Sequence, residues 1–285
     1  MSKTGKVILA AAGPGDPELI TVKAMRYLQQ ADVVLTDRLV SEDILDQFVN
    51  EDAEIIYVGK QCRHGKSTPQ ETINSLMVQY AMEGKFVVRL KGGDVSIFSN
   101  ILDELQALNE YRIPYEIIPG VTAALGAAAY AGMPLTARGF STGVRLLTYY
   151  KADLISNEYW KDLASTEDTL VFYMSAEKVD ELVSNLVREH INNDRLLAVV
   201  EQATTPFQQV SVHNIYEYHS EHKHRNYISP TLVIIGKVVQ LHREFAWTSN
   251  HQTGDCYFDT TRKPLESREK SLVTDMVSNS FLNRF

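Results

Sequence analysis

An aspartate, a lysine and several glycine turns each close a short apolar run in this chain. Asp37 follows Val33-Val34-Leu35, and Lys60 closes the run that starts at Glu54. Gly13-Pro14-Gly15-Asp16 follows Val7-Ile8-Leu9-Ala10-Ala11-Ala12, and Gly92-Gly93-Asp94 follows the run from Phe86 to Leu90. An apolar run that breaks into a turn reads as the carboxyl end of a strand, where open α/β sheets bind their ligands. A carboxylate partly buried there has a raised pKa and can take a proton. A lysine there can meet an anion as a point charge. Glycine turns let the backbone approach a ligand closely. The usual nucleotide fingerprints do not fit. The third residue after Gly15 is Glu18 where a dinucleotide turn needs glycine, and no Gly-Lys-Ser/Thr follows.

The elements that must hold these residues alternate. Strands are predicted over 7–12, 31–35, 54–58, 86–90 and 115–118, with helices between them. Thr68-Pro69-Gln70-Glu71 offers an N-cap threonine, proline at the first helical position and glutamate three residues after the cap. The helix it opens carries Ile73, Leu76, Met77 and Tyr80 and stops at Gly84. Alternating units of this kind predict an α/β fold with a largely parallel sheet covered on both faces. Pro119-Gly120 marks a change, and the small-residue run Val121–Ala131 reads as a tightly packed helix at a domain junction. Strands are predicted again over 143–149, 169–174, 196–201 and 230–236, with an amphipathic helix over 176–190. The expected organisation is an N-terminal α/β domain over 1–118, a C-terminal α/β domain over 119–247 and a polar tail over 248–285.

Composition narrows the class. The chain has 285 residues, 44% hydrophobic and 22% charged, as in ordinary globular proteins, and no apolar run reaches the length of a membrane span. A net charge of −8 argues against a nucleic-acid surface. Cys62 and Cys256 match no metal or redox spacing. The first six residues lead straight into a strand without the apolar core of a signal peptide, so a cytoplasmic location is expected. His219, His222 and His224 form a tempting run for a metal, but they sit on a polar stretch and no metal is expected.

Together with the opening turn, four further segments occur in a fixed order: Asp37-Arg38-Leu39-Val40-Ser41, Tyr57-Val58-Gly59-Lys60, Val88-Arg89-Leu90-Lys91-Gly92-Gly93-Asp94, and Pro119-Gly120-Val121-Thr122-Ala123-Ala124 running on to Ala131-Gly132-Met133-Pro134-Leu135-Thr136. This set resembles the tetrapyrrole methylases over about residues 5–247, and within them the branch acting on uroporphyrinogen III. The resemblance implies a two-domain tetrapyrrole methylase fold, usually a homodimer, with S-adenosylmethionine in the interdomain cleft. It implies methylation of uroporphyrinogen III at C2 and C7 to give precorrin-2, on the way to sirohaem and cobalamin. The family's proton acceptor falls on Asp37 and its proton donor on Lys60. Its cofactor contacts carry onto Pro14, Gly92, Gly93, Asp94, Ile97, Thr122, Ala123 and Met174, with Ala203 in place of a glycine that approaches the cofactor. An eight-carboxylate substrate needs cations, for which Arg38, Lys91 and Arg138 stand at motif edges, with Arg89 and Arg145 as further candidates.

The match departs from the family pattern on the substrate side. After Asp94 the family continues Pro-Phe-Ile-Phe-Gly-Arg-Gly-Gly-Glu-Glu; this chain has Val95-Ser96-Ile97-Phe98-Ser99-Asn100-Ile101-Leu102-Asp103-Glu104, with Asn100 at the arginine. The family's Thr-His-Arg is Thr136-Ala137-Arg138, its Thr-Gly-His is Thr148-Tyr149-Tyr150, and its Glu-Asn-Gly-Thr is Glu201-Gln202-Ala203-Thr204. Another tetrapyrrole substrate, or a non-catalytic binding protein, remains open on these grounds.

Overall fold

The computed structural model describes residues 4–59, 68–151 and 155–250. Among these the chain divides between Thr122 and Ala123 into two compact units, each built on its own five-stranded sheet.

The first unit alternates strand and helix. Its strands are β1 (Lys6–Ala11), β2 (Val33–Thr36), β3 (Glu54–Tyr57), β4 (Phe86–Lys91) and β5 (Tyr115–Ile118). Its helices are α1 (Val22–Leu28), α2 (Glu42–Phe48), α3 (Gln70–Met82) and α4 (Ile101–Glu110). The strand order is β3-β2-β4-β1-β5 and every pairing is parallel. Helices cover both faces, and the central strands are mainly apolar, with Arg89 and Lys91 of β4 among the exceptions. Val7, Leu9, Val33, Leu35 and Val87 pack with Ile73, Met77 and Tyr80 of α3 and with Leu108 of α4. Ile8, Ala10, Val34, Val88 and Leu90 pack on the other face with Leu28 of α1 and Ile44 and Leu45 of α2. The expected cap of α3 differs in detail. Pro69 occupies the N-cap, and the Thr68 hydroxyl accepts from the Gly59 N–H at 3.5 Å rather than from the helix.

The second unit holds β6 (Val144–Thr148), β7 (Thr169–Tyr173), β8 (Leu196–Glu201), β9 (Gln209–Asn214) and β10 (Thr231–Gly236), in the order β6-β7-β10-β8-β9. Only β6 and β7 pair in parallel; β10 runs antiparallel to β7 and β8, and β9 antiparallel to β8. Its helices are α5 (Ala123–Tyr130), α6 (Asn157–Ser165), α7 (Val179–Arg188), α8 (Tyr218–His222) and α9 (His242–Phe245). Strand β9, which the sequence reading omits, is an edge strand on which Val210 and Val212 alternate with Ser211 and His213. The predicted helix over 176–190 begins as a 3-10 turn, Ala176–Lys178, before α7. One face of the sheet packs Trp160 between Tyr149 and Phe172, with ring centroids 5.2 and 6.3 Å away. The other receives α5 through Ala124, Ala127 and Ala128. Small residues let that helix lie close to the sheet. The first part of the expected tail is tied down: Thr248 Oγ1 donates to the Tyr130 carbonyl at 2.8 Å, and Asn250 exchanges bonds with the Val210 backbone at 2.7 and 2.9 Å. Residues 251–285 lie outside the described residues.

Candidate active site

Strand order locates the crevice of the first unit. The chain leaves β1 towards β2 and leaves β4 in the opposite direction, towards β5. Strands β1 and β4 are neighbours, so the switch point of this sheet lies between their carboxyl ends. The two glycine turns meet there. The Gly13 N–H donates to the Gly93 carbonyl at 3.1 Å, and the Gly93 N–H donates back at 2.7 Å. Gly93 has φ +69°, which a side chain adopts at a cost. A Cβ on Gly92 would lie 2.7 Å from the Leu39 Cβ, so only glycine lets these loops close. Pro14 sits in the β1 turn, and Ile97 half-buried in the loop after β4.

Asp94 is buried and spends its carboxylate inside this edge. Oδ1 accepts from the Ser96 N–H at 2.9 Å and from the Ser96 hydroxyl, and Oδ2 accepts from the Gly120 N–H at 2.9 Å. Burial opposes ionisation, but these bonds prevail and hold its pKa below the usual range. Its place is that of a brace between the β4 and β5 loops, both of which it fixes.

Asp37 stands one strand away, directly after β2. Its Oδ1 accepts from the Leu39 N–H at 3.1 Å, which turns the chain towards α2. Ser41 occupies the N-cap of α2 without a side-chain bond to it. The Asp37 side chain keeps 22% of its surface, yet the surrounding mass desolvates the carboxyl enough to raise its pKa. Arg89 and Lys91 pull the other way, Arg89 from 3.8 Å, as do the N–H groups of Leu39 and Gly92. Burial wins, and the group is a better proton acceptor than a solvated aspartate.

The cations beneath Asp37 are not where the sequence reading puts them. Lys91, expected to face the substrate, is 4% exposed; its Nζ lies 3.0 Å from each oxygen of Glu104, which is wholly buried. Arg89 Nε donates to the same Glu104 at 2.9 Å. Both cations point down because residues two apart in a strand share a face, and α4 places its only buried carboxylate against that face. Burial, then Arg89, lowers the Lys91 pKa, and Glu104 opposes the change. This triad was missed, although two cations at i and i+2 of an otherwise apolar strand signal a buried counter-ion. Arg38 is half-buried beside Asp37 in sequence, and Arg138 is exposed in the turn after α5. Arg145 is held by Asp162 and by Asp168 at 2.7 Å. Lys60 lies outside the described residues.

The loop that departs from the family pattern holds Phe98 and Asn100 at φ +52° and +53°. Asn100 Nδ2 donates to Asp103 Oδ2 at 2.7 Å, so the amide serves the start of α4. Thr122, nearly buried, precedes α5; the Ala124 N–H of its first turn donates to the Tyr173 hydroxyl at 3.0 Å.

In the second unit β6, β7 and β8 point the same way, and their carboxyl ends share one edge. Met174 follows β7 at φ +56° and is 51% exposed. Gln202 and Thr204, at φ +51° and +66°, flank the buried Ala203 after β8. Left-handed residues other than glycine cost energy and gather at ligand-binding edges. Thr148 ends β6 on the α5 face, and its buried hydroxyl has no partner among the described residues. Tyr149 is wholly buried, while Tyr150 is exposed. Ala123 opens α5.

Each unit thus gathers strand ends at one edge, and that of the first carries a glycine-lined switch point and a desolvated aspartate. The chain matches the profile of the Tetrapyrrole (Corrin/Porphyrin) Methylases over residues 6–218. It belongs to that family, as the opening motifs imply. A siroheme synthase of Vesicomyosocius okutanii is 42% identical over 86% of this chain and 52% of its own length; one from Pseudomonas putida is 44% identical over 87% and 53%. The chain thus spans about half the length of the curated relatives it matches. A uroporphyrin-III C-methyltransferase of Thermus thermophilus superposes with a TM-score of 0.71 at 33% identity, over 88% of this chain and 100% of its own. A structure of the Thermus thermophilus enzyme complexed with S-adenosyl homocysteine gives 0.68 at 33% identity, over 83% of this chain and 94% of that one. The cobalt precorrin-4 methyltransferase CbiF gives 0.72 at 28% identity, over 82% and 95%. No described helix is long and apolar enough to cross a membrane.

Proposed function

We propose that the chain methylates uroporphyrinogen III at C2 and C7 with S-adenosylmethionine, giving precorrin-2, and that it works as a cytoplasmic homodimer. The observation that carries this reading is Asp37: a carboxyl with a raised pKa beside the glycine turns of a switch point. The donor set suits an adenosyl sulfonium. It consists of backbone groups, small side chains and a Thr148 hydroxyl that has no partner among the described residues. On the resemblance, the cofactor contacts are assigned to Pro14, Gly92, Gly93, Asp94, Ile97, Thr122, Ala123, Met174 and Ala203. When bound, S-adenosylmethionine supplies an electrophilic methyl group. The protein holds the pyrrole carbon in line with it, excludes water, and removes the proton that the methylated ring must lose. Asp37 Oδ2 takes that proton. Lys60 is assigned as proton donor on the resemblance alone. Arg38 and Arg138 meet substrate carboxylates; Lys91 acts from below, through the field it sets at Asp37.

An anaerobic assay with uroporphyrinogen III, S-adenosylmethionine and the full chain tests this by the precorrin-2 or sirohydrochlorin spectrum. Donor binding without product would overturn it. The bonded Asn100 amide favours a second reading, a methylase of another tetrapyrrole precursor, because no permanent cation stands at that position. Turnover of a later precursor in preference to uroporphyrinogen III would select it. Donor or porphyrinogen binding without any turnover would select the non-catalytic role.

A further inference from the structure

Far along the chain from the strand-end residues, His213 of β9 and Glu221 and His222 of α8 form a cluster with no part in methyl transfer. Each offers one ligand atom, and these atoms lie within 4.8 Å of one another. The two imidazole centroids are 4.0 Å apart, and His222 Nε2 is 3.3 Å from Glu221 Oε2. His213 is 8% exposed, and its Nε2 is buried with no hydrogen-bond partner among the described residues. Leaving a buried polar nitrogen unpaired costs about 1–3 kcal/mol, so native structures rarely tolerate it without a ligand or water.

The groups around the cluster are already engaged. Tyr218, buried at the start of α8, packs edge-on against His213 at 5.6 Å. Arg225, the nearby cation, has its own counter-ion: Nη2 lies 3.8 Å from Glu201 Oε2, and its guanidinium stacks over Tyr227 at 5.1 Å. The other two histidines of the run are engaged elsewhere. His219 Nε2 lies 3.0 Å from the Asp180 carbonyl, and His224 Nδ1 lies 3.6 Å from Asp180 Oδ2. The sequence spacing thus pointed to His219, His222 and His224, whereas the fold gathers His213, Glu221 and His222.

We propose that His213, His222 and Glu221 bind one zinc-class divalent cation, with water in the fourth position, and so clip α8 to the edge strand β9. Two imidazoles and a carboxylate suit zinc and its late first-row neighbours; magnesium and calcium want oxygen ligands. Metal–ligand bonds of about 2.0–2.1 Å require the ligand atoms to draw together. Glu221 and His222 sit on a five-residue helix at the surface, where small shifts are cheap.

The test uses the full chain stripped with a chelator, titrated with zinc chloride by calorimetry and with cobalt chloride by visible absorption. Expected are one ion per chain, the intense bands of four-coordinate cobalt, and no response to magnesium. His222→Ala and Glu221→Gln, both at accessible positions, should weaken zinc binding by about 10-fold or more while keeping the native circular dichroism. Zinc should raise the Tm of the wild type and not of His222→Ala. Absence of zinc binding in the micromolar range overturns the proposal. So does wild-type affinity in both variants, or loss of the ion in His219→Ala or His224→Ala instead, which would place it on the other histidines.

Discussion

The two units solve the same problem with opposite materials. In the first, five parallel strands bring all their carboxyl ends to one edge, and that edge stands over a buried Arg89–Glu104–Lys91 triad. In the second, antiparallel β9 and β10 leave only β6, β7 and β8 ending at a common edge, beside an aromatic core around Trp160. The first edge carries charge: Asp37 with its tuned pKa, and Asp94 braced between loops. The second carries shape: left-handed Met174, Gln202 and Thr204, and the small Ala203. The difference teaches that a parallel sheet concentrates titratable groups, whereas a mixed sheet of this order contributes backbone contour and packing. Proton chemistry is accordingly assigned to the first unit.

The sharpest way to break that division is Asp37→Asn. It should lower kcat for methylation by about 10²–10⁴-fold and leave donor binding by calorimetry within a few-fold. Unchanged turnover would remove the charge role of the first edge. In the wild type, the acid limb of the rate should lie above the usual aspartate range. Asp37 must be ionised to accept a proton, and its raised pKa means that activity is lost at a higher pH as acid is added. Lys91→Met removes a charge that lowers this pKa, so the limb should move further up; a downward shift would show that Lys91 does not act on Asp37.

Stability separates the units next. Glu104→Gln leaves two buried cations without a full counter-charge and should cost about 3–5 kcal/mol in urea denaturation. Trp160→Ala should cost a similar ~3–5 kcal/mol by opening a cavity in the second core, with no change in the acid limb of the wild-type rate profile. Smaller effects probe the loops. Gly93→Ala forces a side chain into φ +69° and should cost about 1–2 kcal/mol. Tyr173→Phe should cost about 1 kcal/mol, because the Ala124 N–H loses its acceptor at the start of α5. A null result for Tyr173 would mean that water replaces the hydroxyl and that the α5 end is wet.

Much of this was legible in the residues. Strands of the first unit fall within about two residues of their predicted ends, because buried parallel strands are mainly apolar runs closed by glycine, proline or aspartate. The glycine turns and Asp37 were legible for the same reason: strand ends with unusual chemistry are few. What stayed hidden involves partners far apart in the chain. Lys91 looked like an outward cation until α4 brought Glu104 beneath it. Strand β9 was missed because its short alternation holds only two apolar residues, Val210 and Val212. The histidine run suggested one triplet, while β9 supplied a different imidazole.

By itself the chain fixed the family, the order of strands and helices and the positions of the turn glycines, since these follow from local pattern and backbone sterics. Only the tertiary structure decided which way the cations of β4 point, that Asp37 is desolvated, and that Asp94 braces two loops. Burial and pairing energies depend on surroundings that residues distant in sequence create, and no local pattern carries them.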